Sequence, residues 1–161
     1  QEAVLMFYKM RKFIFLVVLF SSILSPVRNE PTYFKPVPLQ AKETIDMDFL
    51  HRQKVLLSIM EEESRFQPDA INKSENAVGL LQIRPIMIRE VNRLIEEERF
   101  TNADRKDLYK SVEIFVIYQN HFNPEWDLEK AARLWNGGRN GMKKRATIEY
   151  AKRVEERYAS M

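Results

Sequence analysis

Cysteine is absent from all 161 residues of the chain. Its absence excludes disulfides, metal sites built from thiolates and a lipid anchor on cysteine, and it leaves the cellular compartment open. The two histidines, His51 and His121, do not have the spacing of a metal-ligand motif. We therefore expect no metal and no cofactor.

An excess of charge of one sign is also missing. The formal net charge is +3, and residues 1–25 hold three basic side chains and one acidic one, so the rest of the chain carries 23 basic against 22 acidic side chains. Such a balance argues against nucleic acid as a main partner. A hydrophobic content of 45% is enough for one core of ordinary size.

A long hydrophobic run occurs once, near the start of the chain. Residues 13–24 are apolar except for two serines, and three basic residues precede them. This length suits the core of a signal peptide better than a membrane span. We predict a signal peptide or signal anchor over residues 1–25, and hence export to the periplasm or cell envelope, with residues 13–24 as an inner-membrane tether if the signal is retained. The alternative is a buried N-terminal helix.

Proline is concentrated ahead of the predicted domain. Four of the seven prolines lie in residues 26–40, which indicates an extended linker over residues 26–43 and a folded domain over residues 44–161. Within that domain we find no strand alternation of useful length and no internal repeat. Apolar residues recur at helical spacing in five stretches, which are Asp46 to Arg65, Pro85 to Glu98, Asp104 to Phe122, Asp127 to Trp135 and Thr147 to Tyr158. The fold class is therefore all-α and compact.

Several of these predicted helices have local start signals. Pro85 suits the first position of the second helix, and Asp127 and Thr147 are predicted N-caps of the fourth and fifth helices. The second helix is expected to be long and charged because Glu96, Glu97 and Glu98 lie near its end. It is interpreted as a solvated face or as part of a partner surface.

A carboxylate lies on the apolar face of the first predicted helix. At about 100° per residue, Glu63 falls within the stripe that Leu56 and its apolar neighbours define. Burial and the carbonyl dipoles at a helix C-terminus both raise a carboxyl pKa, which is what a general acid needs to keep its proton near neutrality. Because Arg52 and Gln53 share the stripe, helical phase alone also allows Glu63 to turn out to water.

Glycine is scarce, with four residues in the whole chain. Gly79 lies in the segment A-V-G-L-L-Q-I-R-P, and the other three share the loop N-G-G-R-N-G over residues 136–141. Glycine permits left-handed backbone and close approach of a ligand or another segment. The alternative is helix stops and tight turns. The loop lacks the strand and the spacing of a phosphate-binding loop.

In order and spacing, four segments resemble the lytic transglycosylase family, whose soluble lytic transglycosylase-like catalytic domain shares its fold with goose-type lysozymes. They are E-S-R-F at residues 63–66 followed by P-D-A, then A-V-G-L-L-Q-I at 77–83 before Pro85, L-W-N-G-G at 134–138, and Tyr150 with Val154 in the last helix. The sequence departs from the family pattern at Trp135, where the family has tyrosine, at Leu81, where methionine is common, and at Arg65, which is bulkier than usual.

The resemblance implies a lysozyme-like helical domain that cleaves the β-1,4 bond between N-acetylmuramic acid and N-acetylglucosamine in peptidoglycan glycan strands. Glu63 would be the sole catalytic carboxylate, first acid and then base, and the product would carry a 1,6-anhydromuramoyl end. Tyr150 would orient the Glu63 carboxyl. Ser64, Gln82 and Asn136 would bind the substrate, although a helix-capping Asn136 and a core Tyr150 remain alternatives.

Other outcomes stay open at this point. Asp69, Glu75 and Asp127 are candidates for a second acid, but each is better explained as a loop or cap residue. If water attacks instead of the 6-hydroxyl, the enzyme is a hydrolytic lysozyme. A non-catalytic peptidoglycan-binding or assembly protein of the same fold is the remaining alternative. Wall remodelling, service to a secretion machine and viral entry all fit, with a cell-envelope or virion assembly partner.

Overall fold

The computed structural model describes residues 46–161. Within this range the chain forms five α-helices, two short strands and two 3-10 helices. In chain order these are α1 (Met47–Ser64), β1 (Ile71–Asn72), β2 (Ala77–Val78), α2 (Pro85–Ile95), a 3-10 helix (Ala103–Lys106), α3 (Leu108–Phe122), α4 (Leu128–Gly137), a second 3-10 helix (Gly138–Lys143) and α5 (Thr147–Ser160). The predicted signal or anchor over residues 1–25 and the linker over residues 26–43 lie outside the described residues.

Helix α1 begins and ends where the sequence predicted. The Asp46 side chain accepts a hydrogen bond from the Phe49 N–H at 3.2 Å, so it caps the first turn. At the other end Arg65 adopts a left-handed conformation with φ 51°, and its N–H bonds the Glu61 carbonyl. This geometry turns the chain sharply after the residue pair Glu63 and Ser64.

Helix α2 starts at Pro85 as predicted but is shorter than the prediction. It ends at Ile95, because Glu96 is left-handed with φ 56°. The Asn92 side chain also donates to the Phe100 carbonyl and accepts from the Phe100 N–H. These two bonds fold the chain back on the helix, so the prediction that the helix runs to Glu98 is wrong.

The third predicted helix is divided in two. Asp104 accepts hydrogen bonds from the Thr101 N–H and hydroxyl and belongs to the 3-10 helix. Asp107 caps α3 instead, accepting from the Lys110 N–H at 2.8 Å. The separate turn brings the buried Arg105 guanidinium onto the Asn76 and Ile83 carbonyls, which ties this segment to the β1–β2 hairpin.

Of the two predicted N-caps, the one for α4 is confirmed and the one for α5 is wrong. Asp127 caps α4 by accepting from the Lys130 N–H at 2.7 Å, as predicted. Thr147 is the first residue of α5 and not its N-cap. Its hydroxyl donates to the Gly141 and Lys144 carbonyls and accepts from Arg133 Nε, so it bonds to the preceding turn and to α4 and not to the first N–H groups of α5.

The core is built around α3, whose residues from Ser111 to Val116 are all buried. Aromatic rings from three segments meet there: Phe115 lies 4.9 Å from Trp135 and 6.0 Å from Trp126 between ring centroids. Helix α5 packs against α1 and α4. The antiparallel pair β1–β2 has only two residues in each strand, which is too short for alternation to be visible in sequence. Among the described helices, none has the length and the apolar character needed to cross a membrane.

Candidate active site

A cleft of about 360 Å³ opens beside the C-terminal end of α1. Three of the four segments that resemble the family, those beginning at residues 63, 77 and 134, contribute to its wall, and so do the β1–β2 hairpin and the residues after α4. Lining residues include Glu63, Glu75, Gln82, Trp135, Asn136 and Lys144. The cleft therefore lies where segments far apart in sequence converge, which is the usual position of a ligand site.

Glu63 lies on the last turn of α1 and borders the cleft. The Tyr150 hydroxyl donates a hydrogen bond to Glu63 Oε1 at 2.7 Å. Burial raises the pKa of the Glu63 carboxyl from an ordinary 4.5 to about 7, the Tyr150 hydrogen bond lowers it, the neighbouring Glu62 charge raises it and Arg84 lowers it. Burial dominates, so the carboxyl keeps its proton much closer to neutral pH than an exposed glutamate does, which suits a general acid.

Tyr150 comes from α5 and is buried with a relative exposure of 6%. Burial and the adjacent Glu63 hold its own pKa well above the ordinary value, so it stays a hydrogen-bond donor. The contact between Tyr150 and Glu63 that the resemblance implied is therefore present, and the core interpretation of Tyr150 is also correct. One turn further along α5, Arg153 Nε pairs with Glu62 Oε1 at 2.5 Å.

Gln82 lines the cleft from the loop after β2. Its backbone is left-handed with φ 46°, and its Nε2 donates to the Gly79 carbonyl at 2.9 Å and the Ala70 carbonyl at 3.2 Å. Both amide hydrogens are thereby used within the loop, so the carbonyl oxygen is the end available to accept from a ligand. Gly79 is needed because a Cβ there would lie 2.4 Å from the Arg105 carbonyl oxygen.

Asn136 is exposed in the last turn of α4 and lines the cleft. It is not a helix cap, since α4 ends at Gly137 with Gly138 as its C-cap. Its backbone carbonyl accepts from Arg84 Nη2 at 3.3 Å. The adjacent Trp135 forms part of the wall, and its indole N–H donates to the Leu81 carbonyl at 3.1 Å. Tryptophan at this position thus keeps an aromatic surface and also holds the loop that carries Gln82.

Ser64 does not reach the cleft, so its predicted role in substrate binding is not supported by its position. The side chain is buried, and its hydroxyl donates to the Met60 carbonyl at 3.2 Å and the Leu80 carbonyl at 2.9 Å. These bonds fasten the end of α1 to the loop before Gln82. The Ser64 side chain therefore has a local structural role.

Sequence reasoning missed several cleft residues. Glu75, which was explained as a loop residue, lies between the two strands, lines the cleft and pairs with Arg84 at 3.6 Å. Arg84 lies between Ile83 and Pro85 and is not one of the residues that carry the family resemblance. Tyr118 also lines the cleft from α3, but α3 is buried on nearly every side, so its apolar periodicity gave no signal for the ring. Asp69 is exposed and is not part of the cleft wall.

A sequence model of the Transglycosylase SLT domain matches residues 45–158. The chain belongs to this family. The resemblance inferred from four short segments is confirmed over a continuous match from the start of α1 almost to the end of α5. No curated protein matches the chain.

In the folded SLT domain, each of the four segments that resemble the family contributes a residue to the candidate site. Glu63 and its partner Tyr150 come from the first and the last of these segments, Gln82 comes from the second and Asn136 from the third. Membership supports a peptidoglycan lytic transglycosylase type of function at the level of the family, with peptidoglycan as the substrate.

Proposed function

We propose that this SLT domain is a lytic transglycosylase that cleaves the β-1,4 bond between N-acetylmuramic acid and N-acetylglucosamine and leaves a 1,6-anhydromuramoyl end. The observation that carries the proposal is the Glu63 carboxyl, which is mostly buried, borders the cleft and has a pKa raised to about 7. A ligand-binding site alone has no need of a carboxylic acid that keeps its proton near neutrality.

The first step breaks the glycosidic bond. The protonated Glu63 carboxyl donates its proton to the bridging oxygen as the bond from the anomeric carbon to that oxygen breaks. The acetamido carbonyl oxygen of the muramoyl sugar bonds to the anomeric carbon, which gives a cyclic oxazolinium ion and releases the N-acetylglucosamine side. Substrate assistance of this kind needs no second carboxylate.

The second step closes the anhydro ring. The Glu63 carboxylate takes the proton of the muramoyl 6-hydroxyl, whose oxygen attacks the anomeric carbon and displaces the acetamido oxygen. This returns Glu63 to its protonated state for the next cycle. Tyr150 keeps its hydrogen bond to Oε1 throughout, so the other carboxyl oxygen is directed to the substrate.

Gln82 and Asn136 are the substrate-binding residues in this proposal. The free carbonyl oxygen of Gln82 is suited to accept from an acetamido N–H, and the exposed Asn136 amide can donate and accept across the cleft. Trp135 closes the cleft wall beside them and holds the loop that carries Gln82 through its indole N–H.

The test is the Glu63→Gln variant in a peptidoglycan gel. Glutamine retains the size and can still accept from Tyr150, but it has no proton of suitable acidity to donate, so clearing should fall below detection while the helical circular dichroism spectrum is unchanged. The matched control is Asp69→Asn, which neutralises an exposed carboxylate outside the cleft and should clear normally. Clearing by Glu63→Gln would show that another group is the acid.

Hydrolysis by a lysozyme-type reaction is the second candidate, and one observation favours it. Glu75 places another carboxylate on the cleft wall, and a second carboxylate is what two-acid glycosidases use to activate water. Mass spectrometry of digested sacculi separates the two reactions, since an anhydro end is one water lighter than a hydrolysed end.

The substrate lies in the cell wall, so the function requires export. We propose that residues 1–25 act as the export signal, with residues 13–24 as a tether to the inner membrane if the signal is not cleaved. Fractionation of cells that express the full chain tests this, because a cleaved signal leaves a soluble periplasmic form and a retained one leaves the protein with the membrane.

A further inference from the structure

Four basic side chains lie on the segment that follows α4, and two of them are on the cleft wall. This basic rim consists of Arg139, Lys143, Lys144 and Arg145, all of them exposed, and two of the four, Arg139 and Lys144, line the cleft itself. Seven successive residues, 139–145, thus carry four cations and no acidic side chain. No step of the proposed reaction uses them.

The backbone of the basic rim is held firmly. A Cβ at Gly141 would lie 1.9 Å from the Arg133 carbonyl oxygen, so this turn lies directly against α4. Arg133 Nη2 donates to the Met142 carbonyl at 2.7 Å, and the Thr147 hydroxyl donates to the Gly141 and Lys144 carbonyls. The cations therefore project from a fixed scaffold and not from a loose tail.

The carboxylates of the cleft leave most of this charge unopposed. Glu75 pairs with Arg84, and Glu90 pairs with Arg139 at 3.1 Å. The Lys144 ammonium donates to the Gly137 carbonyl, which does not neutralise it. Across residues 46–161, no carboxylate forms an ion pair with any member of the segment 143–145.

The glycan part of the proposed substrate offers these cations nothing. Its sugars carry hydroxyl and acetamido groups, which are neutral. The muramoyl sugar also carries a peptide stem on its lactyl group, and the stem has free carboxylates. A stem attached to a sugar in the cleft therefore begins within a few bonds of the reacting centre and brings negative charge to the cleft border.

We propose that the basic rim binds the carboxylates of the peptide stem, so that peptide-bearing glycan is preferred over glycan without accessible stem charge. The inference rests on the proposed function, because it takes peptidoglycan as the substrate of the same cleft. Single exposed ion pairs are weak, but several cations on one rigid segment add their attraction, and that attraction is screened by salt.

The experiment compares two forms of one substrate. Peptidoglycan strands with free stem carboxylates are measured beside the same strands after carbodiimide coupling of those carboxylates to glycinamide, which makes them neutral. The wild type should show a kcat/KM roughly 5- to 20-fold higher on the free form, and the ratio should shrink as salt is added. Equal rates on the two forms would overturn the proposal.

The variants assign the preference to the rim. The Lys143→Gln, Lys144→Gln, Arg145→Gln triple variant should lose most of the preference for the free form. The Lys143→Gln, Arg145→Gln double variant keeps the bond from Lys144 to the Gly137 carbonyl. This double variant should lose part of the preference for the free form. A charge-conserving variant, Lys143→Arg with Arg145→Lys, should retain it.

The matched control removes the same charge from positions outside the segment 139–145 and outside the cleft wall, with Lys106, Lys130 and Lys152 changed to Gln. This control should keep the wild-type preference, and an equal loss in the control and the rim variant would contradict the proposal. If the wild type cleaves neither form of the substrate, the proposed function itself fails, and that result is distinct from cleavage of both forms at one rate.

Discussion

Replacing the acid should stabilise the protein in alkaline solution. In the unfolded chain the Glu63 carboxyl has its ordinary pKa of 4.5, and in the folded chain burial raises the pKa to about 7. Between these values the folded state binds a proton that the unfolded state has lost, so folding stability falls as pH rises. The contribution is complete below the lower pKa and is lost as pH passes the higher one.

The size of the effect follows from that interval. The two pKa values differ by about 2.5 pH units, and at about 1.36 kcal/mol per unit this amounts to about 3 kcal/mol. Glu63→Gln removes the titration and keeps the side-chain volume. Relative to the wild type, the variant should therefore gain about 3 kcal/mol of unfolding free energy between about pH 4 and about pH 8.

The assay is urea unfolding of wild type and variant at a series of pH values. Other groups titrate equally in both proteins, so they cancel in the difference between the two unfolding free energies. Asp69→Asn serves as the control because it neutralises an exposed carboxylate. The unfolding free energy of this variant should not rise relative to that of the wild type as the pH increases. A Glu63→Gln difference that is constant with pH would refute the argument that burial of this carboxyl sets its pKa.

Two further predictions concern the hydrogen bond from Tyr150 and the packing of the turn at Gly141. Tyr150→Phe removes the hydrogen bond that lowers the Glu63 pKa, so the alkaline limb of the pH–activity profile should move upward by about one pH unit; a downward movement would mean that the phenol favours the neutral acid. Gly141→Ala should cost about 3 kcal/mol or more in thermal or urea unfolding, because the new Cβ overlaps the Arg133 carbonyl. Gly138→Ala is its comparison: open space surrounds that position, but its φ of 71° and ψ of −167° lie in a region that is essentially restricted to glycine. Backbone strain alone should therefore cost about 2 kcal/mol, and a cost equal to that of Gly141→Ala would contradict the packing argument.

Much of the fold could be predicted from local signals. Caps and helix formers act within a few residues, which is why Asp46, Pro85 and Asp127 were assigned correctly. Thr147 and the end of α2 were not, because side-chain hydrogen bonds that helical periodicity does not reveal replace the expected local ones. The Thr147 hydroxyl is taken by carbonyls of the preceding turn, and the Asn92 side chain folds the chain back from Phe100.

The candidate site divides in the same way. Helical phase and the family resemblance identified Glu63, Gln82 and Asn136, which line the cleft. Arg84 was not identified, and Glu75 was set aside as a loop residue, because these two residues reach the cleft only through the hairpin and the start of α2. Ser64 follows Glu63 directly in sequence, yet its side chain points to the Leu80 carbonyl, since neighbours on a helix face different directions.

By itself the sequence determined the helical class, the family and the short set of residues from which an acid could be drawn. It contains three successive glutamates at the end of α1, and only the folded chain distinguishes them. Helix α5 places Arg157 against Glu61 at 3.2 Å, Arg153 against Glu62 and the Tyr150 hydroxyl against Glu63. The first two carboxylates form ion pairs with arginines, whereas Glu63 meets a neutral donor in a buried place, and burial favours retention of its proton. That difference depends on residues about ninety positions away along the chain, so tertiary packing decided which glutamate can act as the acid.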